Sequence, residues 1–113
     1  MKTHSLIITL SSFLFIWSCT KDSTSQCLTV GMTYTKNIKS IIDANCVSCH
    51  GSTNPSGSVR LVTYTEVKSV NPINFKGVIN HSQSFKAMPP TSKISQCNID
   101  MIEAWLNAGS PEN

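Results

Sequence analysis

Cys46-Val47-Ser48-Cys49-His50 carries the densest chemistry in the chain. Two thiols three positions apart can each form a thioether with a vinyl group of one porphyrin. An imidazole directly after the second thiol then lies beneath the iron as its proximal ligand. C-x-x-C spacing also serves zinc sites and dithiol redox enzymes. A zinc site needs a second pair of ligands, and no other C-x-x-C or H-x-x-H occurs. A thioredoxin-like site needs a βαβ setting, which the apolar pattern does not supply. The spacing therefore predicts one covalent haem c, bound through Cys46 and Cys49, with His50 on the iron. In such a protein the cofactor carries the hard chemistry, and the polypeptide holds, ligates and tunes it.

The opposite face of the iron has two candidate ligands. Met88 lies in Phe85-Lys86-Ala87-Met88-Pro89-Pro90, far enough beyond His50 for the chain to return across a haem. The two prolines stiffen that loop and bias Met88 toward extended backbone, suited to presenting a thioether. His81, in the polar run Asn80-His81-Ser82-Gln83-Ser84, is the alternative, because imidazole binds iron well. An iron left open or water-bound is the third possibility. Met32 and Met101 read as core or surface residues, one ahead of the first helix and one on the apolar side of the last.

The N-terminal end has the composition of an export signal. A short basic start, Met1 to Ser5, precedes the apolar run Leu6 to Trp17, which is too short to span a membrane comfortably and suits a signal-peptide core. Ile16-Trp17-Ser18-Cys19 resembles a bacterial lipobox, with Trp17 bulky for its place. The resemblance implies a lipoprotein signal peptide over 1–18, lipidation of Cys19, and an anchor and tether over 19–32. An ordinary secretory signal cut nearby is the alternative. The expected location is outside the cytoplasm, anchored to a membrane on its periplasmic or cell-surface side.

Five cysteines fit that route. With Cys19 assigned to lipid and Cys46 and Cys49 to haem, Cys27 and Cys97 remain, one near each end of the mature domain. In an oxidising compartment they are expected to form a disulfide; two unpaired buried thiols are the alternative. Such a bond closes a loop of about 70 residues, stabilising the fold by about 4 kcal/mol through chain entropy.

A chain of 113 residues accommodates one domain, expected over 33–113. Its net charge of +3 comes from scattered lysines with no basic block, so nucleic-acid binding has no support. Tyr34 to Asn45 reads as a first helix, with Ile38, Ile41 and Ile42 on one face and Lys36, Lys39 and Asp43 on the other. Gly51 to Ser58 is a loop by composition, followed by a short extended piece, Val59 to Val62. Thr63-x-x-Glu66 has the form of a capping box, predicting a brief helix from Tyr64 to about Val70 that Asn71-Pro72 ends. Phe75 to Asn80 suits a helical turn. Ser95 caps a last helix bearing Ile94, Met101, Ile102, Trp105 and Leu106, with Gly109 just past its end and Pro111 beyond. The expected fold is all-α: a small helical domain with long loops, wrapped around one covalent haem.

Taken together, the helix leading into Cys46-Val47-Ser48-Cys49-His50-Gly51, the Ala87-Met88-Pro89-Pro90 loop and the closing Ile102-Glu103-Ala104-Trp105-Leu106-Asn107-Ala108-Gly109 resemble a small class I-type cytochrome c domain. Tyr64-Thr65-Glu66-Val67-Lys68 is similar to such domains in small lipoproteins of Bacteroidetes-like bacteria. The resemblance spans about Thr33 to Pro111 and implies covalent haem on Cys46 and Cys49, His50 as proximal ligand and Met88 as distal ligand. Cys27 and Cys97 lie outside the general family pattern. The implied role is electron transfer by a monomer that meets redox partner proteins at a membrane surface, with no catalytic constellation and hence no enzyme activity. Two alternatives stand beside it: a haem-based small-ligand binding or sensor module, and a haem-free thiol–disulfide oxidoreductase.

Overall fold

Ile38, Ile42, Val67, Ile99, Ile102 and Trp105 are fully buried, and the helices are arranged around them. A computed structural model describes residues 27–113; the expected signal peptide and the expected lipidation at Cys19 lie outside the described residues. All regular structure among the described residues is helical.

The first helix begins as expected at Tyr34, but with a wide π-helical turn over Tyr34–Ile38, before α1 continues over Lys39–Asn45. Thr33 caps it, its side chain accepting from the Lys36 N–H. The Tyr34 and Thr35 N–H groups, which no helical carbonyl can satisfy, donate to Pro111 and Glu112 from the chain's other end at 2.9 and 3.0 Å. The isoleucine face at 38, 41 and 42 turns inward and Lys36, Lys39 and Asp43 stay exposed, as the spacing requires.

A 3₁₀ turn at Ser56–Ser58 interrupts the loop after the C-x-x-C-H motif. Helix α2, Tyr64–Ser69, opens on a complete capping box: Thr63 accepts from the Glu66 N–H, and the Glu66 carboxylate accepts from the Thr63 N–H. Asn71-Pro72 corrects the reading above. The pair separates α2 from a new helix, α3, which spans Pro72–Ile79 and starts three residues before Phe75. The Asn71 side chain accepts from the Ile73 and Asn74 N–H groups, and Pro72 stands in the first turn, where its missing N–H costs nothing.

Helix α4, Gln96–Asn107, packs against the π-turn and α3. Ser95 is its N-cap, accepting from Asn98 N–H. Gly109, at φ 84°, ends it: Gly109 N–H donates to Leu106 O, and Ser110 N–H to Trp105 O, the two bonds of a Schellman motif. Ile99 joins Ile102, Trp105 and Leu106 in the core, whereas Met101 is only partly buried. The Trp105 indole N–H donates to Pro111 O at 2.8 Å, and its ring lies 6.1 Å from that of Tyr34.

Cys27 and Cys97 form a disulfide, with Cα atoms 5.4 Å apart, joining the start of the described chain to the first turn of α4. Met32 is buried in the core while Leu28 and Val30 are exposed, so the segment runs along the surface between two points of attachment. Replacing both cysteines with serine is expected to lower unfolding free energy by about 4 kcal/mol. A chemical-denaturation midpoint, compared with the oxidised parent, measures that loss. No helix among the described residues is long and apolar enough to cross a membrane.

Candidate functional site

The C-x-x-C-H segment leaves α1 as a tight turn. Cys46 and Val47 N–H groups donate to Ile42 O, and Cys49 and His50 N–H groups to Cys46 O. The turn is then tied to the following loop by Ser56 N–H to Cys49 O and Leu61 N–H to His50 O, both 2.9 Å. Gly51 sits so close to this turn that a Cβ there would meet Val47 O at 3.0 Å.

His50 points one ring nitrogen, Nδ1, at the Val59 carbonyl, 2.8 Å away. A carbonyl can only accept, so Nδ1 carries the proton, which in the neutral ring leaves the lone pair on Nε2. That is the tautomer a metal-binding histidine needs, and the contact orients the ring.

Cys46, Cys49 and His50 line a cavity of about 290 Å³ that also takes in Met88. Its remaining wall is largely apolar: Phe75, Val78 and Ile79 from α3, Val59 and Leu61 from the loop, and Pro89 and Pro90 beside Met88. The sequence placed the four reactive groups but not these walls, nor the Val59 carbonyl, because loop carbonyls and long-range contacts leave no residue-type signature.

Met88 is fastened to α3: its N–H donates to Val78 O at 2.9 Å. Phe85 sets the approach of that loop. Its ring packs on Gly77, where a Cβ would fall 2.4 Å from the ring carbons. Gly77→Ala is therefore expected to push Phe85 outward and lose about 1–3 kcal/mol of stability by overpacking. Thermal unfolding would register the loss.

His81 is not on the cavity wall. It follows α3 at φ 56°, and its buried Nε2 has no hydrogen-bond partner. Of the two candidates, the structure thus brings Met88, and not His81, to the cavity that holds His50.

Burial pushes the Cys46 thiol up to about 11. A dithiol oxidoreductase needs a thiol shifted the other way, so that thiolate forms near neutral pH. Among the described residues no group of three or more His, Cys, Asp or Glu side chains is placed to hold a metal ion by itself. The donor set does fit a haem: two unbonded cysteines for the vinyl groups, an imidazole of the right tautomer, a thioether, and an apolar wall for the macrocycle. No protein-family model, curated protein or solved structure matches the chain.

Proposed function

We propose that this protein is an electron carrier of the class I-type cytochrome c kind, with one covalent haem c enclosed by its helices and loops. The observation that carries the reading is the convergence of Cys46, Cys49, His50 and Met88 on one apolar cavity, with His50 Nδ1 committed to Val59 O. When bound, the haem supplies one-electron chemistry by cycling between ferrous and ferric iron.

Cys46 and Cys49 would hold the macrocycle covalently. His50 through Nε2 and Met88 through its sulfur would ligate the iron, and a thioether ligand would favour a higher reduction potential than a second histidine. The largely apolar wall would disfavour water beside the haem. On this reading the chain is a carrier and not an enzyme. Lipid on Cys19 would hold it at a membrane surface on the exported side, where it exchanges electrons with redox partner proteins as a monomer.

Voltammetry of the haem-loaded protein is expected to give one reversible one-electron wave, and the reduced protein is expected not to take up carbon monoxide. Rapid stoichiometric uptake would favour the ligand-binding or sensor reading instead.

A further inference from the structure

The capping box at Thr63 and Glu66 reaches beyond α2. The chain between the C-x-x-C-H loop and that helix passes through a strap, Val59 to Thr63, fastened at both ends. At one end His50 holds it twice: Nδ1–H donates to Val59 O at 2.8 Å, and His50 O accepts from Leu61 N–H at 2.9 Å. At the other end the Glu66 carboxylate is held three ways. Oε2 accepts from Val62 N–H at 2.9 Å and Thr63 N–H at 3.0 Å, and Oε1 forms an ion pair with Arg60 Nε at 3.1 Å. A capping box requires only the Thr63 contact. The contacts to Val62 and Arg60 are additional, and both fall inside the strap. Leu61, between the two fastenings, is buried and lines the cavity.

We propose that Glu66 is a positioning residue for His50: its carboxylate anchors the strap and thereby holds the Val59 carbonyl against Nδ1–H. The inference rests on the haem reading, because the consequence falls on an iron ligand. A firm hydrogen bond at Nδ1 makes the imidazole a stronger donor through Nε2, which favours the ferric state. Letting the strap move weakens that bond and raises the reduction potential. The Arg60–Glu66 pair is too exposed to contribute much stability by itself, so its effect is geometric. Thr63 N–H, then Val62 N–H and the Arg60 charge, hold the Glu66 carboxyl below the usual carboxylate range, so the acceptor stays ionised around neutral pH.

The test compares Glu66→Ala and Glu66→Gln with Thr63→Ala in the haem-loaded full chain. Thr63→Ala removes the hydroxyl that accepts from Glu66 N–H at 3.3 Å and leaves every strap contact, so it reports helix capping alone. The readouts are the reduction potential and the solvent exchange of the His50 Nδ1 proton, followed by NMR in the reduced protein. Glu66→Ala is expected to speed that exchange by about tenfold, the effect of losing one typical hydrogen bond, and to raise the potential. Glu66→Gln should do the same to a smaller extent, because its amide oxygen still accepts from Val62 and Thr63. Thr63→Ala should lower stability and leave both readouts unmoved.

If Glu66→Ala behaves as Thr63→Ala in both readouts, Glu66 is a helix cap only and the proposal is wrong. Should Glu66→Ala fail to fold, Glu66→Gln decides: a shift in both readouts supports the proposal and no shift overturns it. A parent chain that binds no haem defeats the haem reading separately. The nitrogen shifts of His50 in that apo chain then answer the positional question, since loss of the Nδ1–H tautomer in Glu66→Ala supports the strap and its retention refutes it.

Discussion

Cys46→Ser/Cys49→Ser protein, made alongside haem-maturation machinery, is expected to emerge with no haem that survives denaturation, whereas the parent retains one per chain. Serine is close to cysteine in size, though more polar, and cannot add to a vinyl group, so the change chiefly removes the covalent bonds. Cys46 is part of the cavity wall and Cys49 is exposed at its rim, so neither substitution opens a hole in the core. The helical far-ultraviolet signal of the apo fold should therefore change little. The effect is all-or-none in a haem-stained denaturing gel, and a stained band from the double variant would contradict the attachment sites. Single substitutions should each leave haem held by one thioether, with a shifted reduced spectrum.

Met88→Ala is expected to have the second largest effect. It deletes the sulfur while leaving the backbone contact from Met88 N–H to Val78 O, so the loop keeps its course. The reduced variant is expected to take up carbon monoxide where the parent is expected not to, and the reduction potential should fall by at least about 100 mV within the roughly 0.8 V span that axial ligation commands. His81→Ala is the matching control. Because His81 stands off the cavity, its removal should leave both properties close to those of the parent. The reverse pattern, with His81→Ala sensitive and Met88→Ala silent, would move the distal ligand to His81.

Much of the helical frame could be read before any coordinates, for reasons that differ by element. The isoleucines at 38, 41 and 42 and the stripe ending in Trp105 and Leu106 repeat at helical spacing, and burial then follows. Ser95, Thr63 and Gly109 mark helix ends through side-chain or backbone chemistry that is local in sequence, and all three act as expected. Asn71-Pro72 was legible only in part. The same pair that stops α2 caps and starts α3, and proline is equally at home in either role. The π-helical opening of the first helix had no residue signature at all; it accompanies pairing of Tyr34 and Thr35 N–H with carbonyls at the far end of the chain.

The site divides in the same way. Thiols, imidazole and thioether announce themselves by residue type, so Cys46, Cys49, His50 and Met88 could be named from spacing. What brings Met88, and not His81, to the cavity is tertiary: the Phe85 ring seated on Gly77 and the Val78 carbonyl that holds Met88. The tautomer of His50 likewise depends on a loop carbonyl nine residues away. The Cys27–Cys97 pairing was reached by elimination among five cysteines and an oxidising destination, and the two residues do meet.

The most direct test of the central claim is the visible spectrum of purified full-length protein, oxidised and then reduced, repeated after denaturation and acidic organic extraction. A covalent, His–Met-ligated haem predicts a sharp reduced α-band, a weak long-wavelength ferric band from sulfur ligation, and colour that stays with the polypeptide through extraction. A colourless protein, or a chromophore that leaves with the solvent, would contradict haem attachment at Cys46 and Cys49 and return those thiols to other chemistry.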